Sequence, residues 1–240
     1  MKPRASANKR PYRMTARAHA ATATGERLLA AAWRHFSTRP YEDVRLHEIA
    51  TEAKVTQATL HTRFGSKDEL LTAAYVWFGR QETSDRPAVP TADVRATIAQ
   101  LYARYEQHGQ AILRMLSQEQ RIPAIRKMTD AGRAYHRHWA QTTFAPLLRD
   151  LQDGKRERRL TGIVVATDLL VWKLLRLDMK LQRKQAEQIV ADMIPPSTTH
   201  GTNDGACAAE PGRGDCAHLI AEYEGAEREI TKARERRCRS

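Results

Sequence analysis

The feature that most constrains how this chain can fold is a series of helix start and stop signals within residues 46–70, LHEIATEAKVTQATLHTRFGSKDEL. The first helix of this stretch carries an apolar face at helical spacing, formed by Leu46, Ile49, Ala50 and Ala53. After a turn at KVT, Thr56 can cap a second helix, and Gly65 can end that helix with a positive φ. Ser66 and Glu69 then have the spacing of a capping box for a third helix. Two short helices joined by such a turn predict a helix-turn-helix.

The second helix of this motif exposes small and polar side chains, which are Thr56, Gln57, Ala58, His61 and Thr62. Its shortness suits a recognition helix, because only the N-terminal part of such a helix reaches base edges in the DNA major groove. Gln57 can form two hydrogen bonds with an adenine, and Ala58 can contact a thymine methyl group. The alternative is that these residues are simply solvated. Lys67 begins the next helix, and we expect it to bind a DNA phosphate together with backbone N–H groups.

The segment from residue 25 to residue 75 resembles the tetracycline-repressor (TetR) family of bacterial transcription regulators. The resemblance lies in LLAAAWRHF and PYEDVRLHEIATEAKVTQATLHTRFGSKDELL, which follow the family pattern without a gap. It implies an N-terminal, three-helix, homeodomain-like DNA-binding domain and a larger C-terminal helical domain. In the family, the second domain holds a small-molecule pocket and the dimer interface. Most members are repressors that leave their operator when the ligand binds.

Three departures from the family pattern concern the motif itself. Lys54 stands in the turn where the family usually has Gly, and a left-handed Lys costs about 1 kcal/mol. His61 stands where the family usually has Tyr, and we expect it to bond to a phosphate, so that DNA affinity falls as the pH rises. Val44 and Arg45 replace the usual Thr or Ser before the first motif helix. Asp43 is then the expected cap, and Arg45 is an expected phosphate contact.

The chain is strongly basic, since its 240 residues contain 40 Lys and Arg against 28 Asp and Glu, a formal net charge of +12. This charge indicates a polyanionic partner, either nucleic acid or an acidic membrane surface. No run of about 18 apolar residues is present, so we predict no transmembrane helix and no membrane partner. The cysteines are Cys207, Cys216 and Cys238. An odd number without disulfide-like spacing indicates a reducing, cytoplasmic location.

Composition divides the chain into four parts. Residues 1–23 form a basic arm that is predicted to be disordered. Three roles are open for this arm: an electrostatic tether to DNA, a segment that enters the minor groove, or an organelle transit peptide. Residues 24–80 are predicted to form the helix-turn-helix domain, with Thr24 capping its first helix. Residues 90–194 are predicted to form the helical ligand-binding and dimerisation domain. Residues 195–240 are predicted to be a disordered, low-complexity tail, and deletion of residues 196–240 is predicted to leave dimerisation and DNA binding intact. No strand pattern is present, so the predicted fold is all-α.

The second domain carries aromatic and Met side chains at helical spacing, and the candidates for a ligand pocket are Tyr102, Tyr105, Met115, Met128 and Trp139. Such side chains suit the pocket of a small-molecule effector, although the same spacing is more common in an ordinary core. Residues 161–180 are apolar over more than one face, so with residues 183–194 they are predicted to form a homodimer. The resemblance implies a four-helix bundle there. A twofold dimer would set two recognition helices about 34 Å apart on a palindromic operator of double-stranded DNA.

Motifs of the common enzyme classes are absent, including a nucleophile elbow, a phosphate-binding Walker loop, His-Glu-x-x-His and Cys-x-x-Cys. The spacing of His200, Cys207, Cys216 and His218 is loose, so we predict no metal site, and no cofactor. The sequence therefore predicts a regulator without enzymatic activity, and most simply a repressor released by a small molecule. The alternative is an architectural or silencing DNA-binding protein that responds to no ligand.

Overall fold

The computed structural model describes the backbone of residues 9–84, 91 and 93–194. It describes the side chains of residues 22–81, 91 and 93–194. Within these residues the chain is helical and contains no β-strand, which confirms the predicted all-α fold. The chain divides into two compact units, Met1–Asp85 and Arg86–Ser240. No helix in the described residues is long and apolar enough to cross a membrane.

The first unit contains α1 (Lys9–Thr38), a 3₁₀ turn (Tyr41–Asp43), α2 (Leu46–Glu52), α3 (Gln57–Phe64) and α4 (Lys67–Ser84). The predicted start of the first helix at Thr24 is wrong, because α1 already begins at Lys9 and includes much of the predicted arm. The segment from residue 16 is rich in Ala and Arg, which are strong helix formers, and Pro11 falls in the first turn, where proline is tolerated.

The core of the first unit forms where α1 packs along α4. Leu28 and Phe36 of α1 and Leu71 of α4 are at most 1 % exposed. Trp33 stacks on Phe78, with ring centroids 4.2 Å apart and an angle of 16° between the ring planes. Burying each such side chain stabilises the fold by about 1.5–3 kcal/mol. This pair of helices therefore forms the support on which the short helices α2 and α3 are packed.

The second unit contains α5 (Val94–Leu116), α6 (Pro123–Thr143), α7 (Ala145–Leu148), α8 (Asp153–Ala166), α9 (Leu169–Trp172), a π-helical segment (Lys173–Asp178) and α10 (Arg183–Asp192). α5 packs against α9 and α10, and α6 packs against α8. Tyr102 and Trp172, which are at most 2 % exposed, belong to the cluster of buried side chains that these helices share. Gly109 of α5 lets the indole ring of Trp172 lie directly against the helix backbone.

Apolar periodicity predicts one helix over residues 161–180, but the structure interrupts it. α8 ends at Ala166, and Asp168 caps a new helix by accepting a hydrogen bond of 2.7 Å from the backbone N–H of Leu170. An aspartate at the N-cap position favours a helix start more than a helix interior, which explains the break. The apolar pattern continued through this break, so periodicity alone did not reveal it.

Several predictions concern residues outside those that the structure describes. They include the linker SDRPAVP, almost all of which is excluded, and the tail 195–240 with its four candidate metal ligands His200, Cys207, Cys216 and His218. The first residues of the predicted basic arm, 1–8, are also excluded. These predictions therefore stay predictions.

Candidate DNA-binding surface

The turn between α2 and α3 is held by backbone hydrogen bonds. The N–H of Lys54 donates to the carbonyl of Thr51 at 3.0 Å, and that of Val55 donates to the carbonyl of Ala50 at 2.9 Å. Lys54 has a φ of 57°, which is the left-handed conformation expected from its place in the turn. The conformation costs about 1 kcal/mol in a residue with a Cβ atom. The turn therefore keeps a strained lysine because the position of α3 relative to α2 requires that backbone geometry.

The start of α3 is fixed by its cap and by one buried side chain. The hydroxyl of Thr56 accepts a hydrogen bond of 3.1 Å from the backbone N–H of Thr59, and Leu60 is completely buried. Helical spacing predicts that Thr59 packs inward beside Leu60, but its side chain is exposed, and its hydroxyl lies 2.8 Å from that of Thr56. The remaining candidates for base contact are all exposed on α3, namely Gln57, Ala58, His61 and Thr62.

His61 is held in one orientation by the end of its own helix. Its Nδ1 lies 3.0 Å from the carbonyl oxygen of Gly65, a contact that requires the proton on Nδ1. The other ring nitrogen, Nε2, is then an acceptor in the neutral imidazole and a donor only in the imidazolium. A phosphate oxygen accepts hydrogen bonds, so this geometry lets His61 bond to phosphate through Nε2 only when the ring is charged.

The junction between α3 and α4 forms the predicted capping box. The backbone N–H of Ser66 donates to Oε2 of Glu69 at 2.9 Å, and the N–H of Glu69 donates to Oγ of Ser66 at 3.1 Å. Gly65 has the expected positive φ, 75°, and a Cβ there would lie 2.3 Å from the Glu69 carboxylate. The capping box occupies the backbone N–H groups of Ser66 and Glu69. The first-turn N–H groups expected to bind a phosphate are therefore those of Lys67 and Asp68.

Arg45 and Lys67 form a pair of neighbouring cations beside α3. Arg45 is exposed and precedes α2, whereas Lys67 is half-buried at the start of α4, with its ammonium 4.3 Å from the centre of the Tyr41 ring. Burial lowers the pKa of Lys67, and the positive charge of Arg45 lowers it further, against a weaker opposite effect of nearby carboxylates. The two cations are therefore close enough to repel each other, and a bound phosphate would relieve this repulsion.

Another group of cations is neutralised within the protein. Arg34 donates through Nε to Oε1 of Glu52 at 2.7 Å, and Nε2 of the buried His35 lies 2.7 Å from Oε2 of the same carboxylate. Arg39 pairs with Glu48, which also faces His35. Hydrogen bonds from Arg34 and Arg39 hold the pKa values of Glu52 and Glu48 below the usual range. No sequence pattern indicated this network, which joins α1 to α2, the first helix of the motif.

The five candidates for a ligand pocket do not lie in one cluster. Tyr102 and Tyr105 belong to the buried cluster of the second unit, and Trp139 packs against it half-buried. Met115 and Met128 are buried outside that cluster, and Met115 lies about 20 Å along α5 from Tyr102 at 1.5 Å per residue.

The two tyrosine hydroxyls differ in their partners. That of Tyr105 donates to the Thr167 carbonyl at 2.9 Å. The Tyr102 hydroxyl is buried and has no hydrogen-bond partner among the described residues, and burial raises its pKa to about 12.

Exposed apolar side chains concentrate on the last helices of the second unit. Among the described residues, the large apolar side chains that remain 41–56 % exposed are Val165, Leu170, Leu174, Met179, Ile189 and Met193. They extend from the last turn of α8 to the residue after α10, and all lie within the ranges 161–180 and 183–194 that were predicted to form the dimer interface. A cluster of this kind on a monomer usually marks an interaction site.

Comparison with known proteins adds a family to this geometry. Residues 28–74 match the family model described as bacterial regulatory proteins, tetR family. None of the curated proteins matches the chain. A solved TetR transcription regulator from Haloarcula marismortui ATCC 43049 is 19 % identical, with a TM-score of 0.51 over 72 % of this chain and 97 % of that chain. A protein from Saccharomonospora viridis, solved in complex with choline, is 24 % identical, with a TM-score of 0.47 over 70 % of this chain and 93 % of that chain.

The matched segment begins on α1, contains α2, the turn and α3, and ends within α4, so it coincides with the capped and buried elements described above. The Haloarcula structure has the same fold over most of its length. The exposed face of α3 lies within the segment that matches the family model. Residues 28–74 are therefore a helix-turn-helix of the TetR family of bacterial regulatory proteins.

Proposed function

We propose that this regulator is a repressor that binds a palindromic operator as a homodimer and leaves the DNA when a small molecule binds its second unit. The observation that carries the proposal is the exposed polar face of α3, which lies beside the cations Arg45 and Lys67. The completely buried Leu60 supports α3 from behind. A rigid helix with a polar outer face and flanking cations suits base contact at its start and phosphate contact at its edges.

The individual contacts follow from the chemistry of the side chains. Gln57 stands at the first position of α3 and is exposed, so it is our candidate for a bidentate pair with adenine. Ala58 can contact a thymine methyl group, and Thr62 can bond to a base or a phosphate. Thr56 uses its hydroxyl to cap α3. We therefore expect its backbone, and not its side chain, to contact the DNA. Arg45, Lys67 and a charged His61 serve phosphates.

The exposed apolar side chains of α8 to α10 support the homodimer. Covering this surface with a second copy removes apolar area from water at about 25 cal/mol per Å². Leu174→Glu should therefore convert the dimer to monomers in sedimentation experiments, whereas Gln141→Glu, the same added charge on an exposed position of α6, should leave the dimer intact. A Leu174→Glu protein that stays dimeric would exclude this surface as the interface.

Selection of bound duplexes from fragmented genomic DNA at near-physiological salt tests the DNA-binding function. The variant Gln57→Ala with His61→Ala serves as the test, and Gln81→Ala, an exposed residue of α4 outside the proposed surface, serves as the control. We expect a palindrome with half-sites about one helical turn apart, retained by the control and lost by the test variant. Binding without sequence preference, equal in all three proteins, would refute the assignment of α3 as the recognition helix.

The buried Tyr102 hydroxyl supports an effector site in the second unit. A buried hydroxyl without a partner costs about 1–3 kcal/mol, and a ligand carrying a hydrogen-bonding group would remove that cost. Tyr102→Phe should leave operator binding unchanged and weaken release by the effector, once a compound screen for operator release has identified one. Equal release of the parent and Tyr102→Phe would exclude this hydroxyl from the effector site.

A ligand-independent architectural or silencing role is the second candidate. It is favoured by the packing of Tyr102 and Tyr105 among other core side chains, with their ring centroids 6.3 Å apart. This role predicts that no compound changes operator affinity and that the protein binds many sites across the genome. The repressor role predicts few sites, adjacent to promoters, and a compound that abolishes binding.

A further inference from the structure

Tyr41 joins the core of the first unit to the start of α4. It begins the 3₁₀ turn between α1 and α2, and its ring stacks on that of Phe36 with centroids 5.9 Å apart and 16° between the planes. Phe36 is 1 % exposed, so this contact fixes the tyrosine ring against a buried and immobile neighbour. The Tyr41 hydroxyl donates to the carboxylate of Asp68 in the first turn of α4. The ring is thus held at one face and at its polar end.

The ammonium of Lys67 lies 4.3 Å from the centre of the same ring, well within the 6 Å or so over which a cation–π attraction acts. In the part of the chain that the structure describes, no carboxylate forms an ion pair with this ammonium. This arrangement differs from that of Arg34 and Arg39, each of which is paired with a glutamate. Within the described residues, the direct contact of this ammonium is therefore a neutral ring, and Glu42, Asp43 and Asp68 act on its charge without forming an ion pair.

The nature of the holding group decides what the cation can still do. A carboxylate would orient the ammonium but also cancel its charge, and a phosphate would then have to compete with it. An aromatic ring orients the ammonium through its quadrupole and leaves the net charge available. A lysine held in advance also loses less side-chain entropy when it binds.

We propose that Tyr41 is a positioning residue for DNA binding, which holds the Lys67 ammonium by a cation–π contact in the place where a DNA phosphate is bound. The inference rests on the proposed function, in which Lys67 contacts a phosphate. Tyr41 acts through Lys67 and does not itself touch the DNA. Because a phosphate contact is independent of sequence, its effect is present on any duplex.

A double-mutant cycle separates this role from general support of the fold. The variants are Tyr41→Leu, which removes the ring, Tyr41→Phe, which keeps the ring and removes only the hydroxyl, and Lys67→Ala, together with Tyr41→Leu/Lys67→Ala. The dissociation constant of each is measured against the operator duplex and against a duplex of arbitrary fixed sequence, over a range of salt concentrations. Tyr75→Leu, a half-buried tyrosine of α4 that lies beside Trp33, is the matched control, alone and combined with Lys67→Ala.

The expected results are specific for a contact made through lysine. Lys67→Ala weakens binding to both duplexes and lowers the slope of log K against log salt by about 1 for each protomer, which is about 2 for a dimer. Tyr41→Leu weakens binding about two- to fivefold for each protomer in the parent background, as a cation–π contact at a partly exposed site predicts, and has no effect when Lys67 is already Ala. Tyr41→Phe binds almost like the parent. Any loss caused by Tyr75→Leu is the same in both backgrounds.

The outcomes distinguish the inference from the function on which it rests. If Lys67→Ala changes neither the affinity nor the salt slope, the phosphate role of Lys67 is wrong and the inference falls with it. If Lys67→Ala weakens binding but the loss caused by Tyr41→Leu is additive, only the inference is wrong. Should Tyr41→Leu fail to fold, the proton shifts of the Lys67 ε-methylene group decide. An upfield ring-current shift in the parent and in Tyr41→Phe supports the contact, and ordinary shifts overturn it.

Discussion

Gly109→Ala is expected to destabilise the second unit, because the added methyl group would collide with a buried indole ring. A Cβ at residue 109 would lie 2.6 Å from Cζ3, 2.7 Å from Cη2 and 3.1 Å from Cε3 of Trp172. Ordinary contact between carbon atoms is about 3.5–4.0 Å, so the ring or the helix would have to move by about 1 Å. Trp172 is 2 % exposed and its Nε1 donates to Glu106 at 3.1 Å, so the ring has neither free space nor free orientation.

The expected size of the effect follows from two opposed contributions. Overpacking of a well-filled core costs about 1–3 kcal/mol, while replacing a mid-helix glycine by alanine gains up to about 1 kcal/mol of helix propensity. The net loss should therefore be about 1–2 kcal/mol. α9, which carries Trp172, also carries the exposed Leu170, so a displaced ring should weaken the homodimer as well.

Urea unfolding followed by circular dichroism measures the change in stability, and sedimentation measures the dimer. Gly154→Ala is the matched control, since Gly154 is an exposed helical residue of the same unit with no atom within 4 Å of its added Cβ. The control should be as stable as the parent or slightly more stable. Trp172→Phe should lessen the cost of Gly109→Ala, because a smaller ring leaves room for the methyl group. A Gly109→Ala protein at least as stable as the parent would refute the packing argument.

Three further predictions concern two helix caps and one ion pair. Asp168→Ala should cost about 1 kcal/mol of unfolding free energy and loosen the start of α9, measured by urea unfolding; no loss would mean that the α8–α9 break does not depend on this cap. Thr56→Ala should cost about 1 kcal/mol and also weaken operator binding, because α3 frays at its cap; unchanged stability would contradict the role of its hydroxyl. A hydrogen bond from Arg176, the largest cause, lowers the pKa of Glu106. The ionised carboxylate therefore stabilises the fold fully above its unfolded pKa of about 4.3, and this stabilisation is lost as the pH falls toward the lower pKa of the folded state. The loss of unfolding free energy caused by Glu106→Gln should therefore become smaller in unfolding experiments at acidic pH.

The motif was predictable because its signals are local. Thr56, Ser66 and Glu69 act on residues three positions away, and the positive φ of Gly65 depends only on the chain beside it. Errors arose where a local signal was overlooked or misjudged. Thr24 resembles a cap but lies within a segment of strong helix formers, and Asp168 lies within an apolar pattern that continues on both sides of it.

The network around His35 could not be predicted in the same way. His35 lies 17 residues from Glu52 in the sequence, so their contact exists only because α1 and α2 pack together. The same holds for Tyr41, whose hydroxyl reaches Asp68 across 27 residues. A sequence pattern indicates which residues share a helix face. It does not indicate which charges on different helices meet, and that information decides which cations remain available to a partner.

The net charge of +12 belongs to the whole chain and does not show which cations of the first unit can bind a phosphate, because some of them are paired within the protein. Arg34 and Arg39 form ion pairs with glutamates of α2, which join α1 to α2. A phosphate would have to displace those carboxylates to bind either arginine. Lys67 is held by a ring that leaves its charge available. Burial and the charge of Arg45 lower its pKa, although nearby carboxylates act in the opposite direction. Arg45 and Lys67 are therefore the cations of the motif that we propose for phosphate contact. Counterion release, which governs the salt dependence of binding, depends on the cations that contact phosphates and not on the total charge.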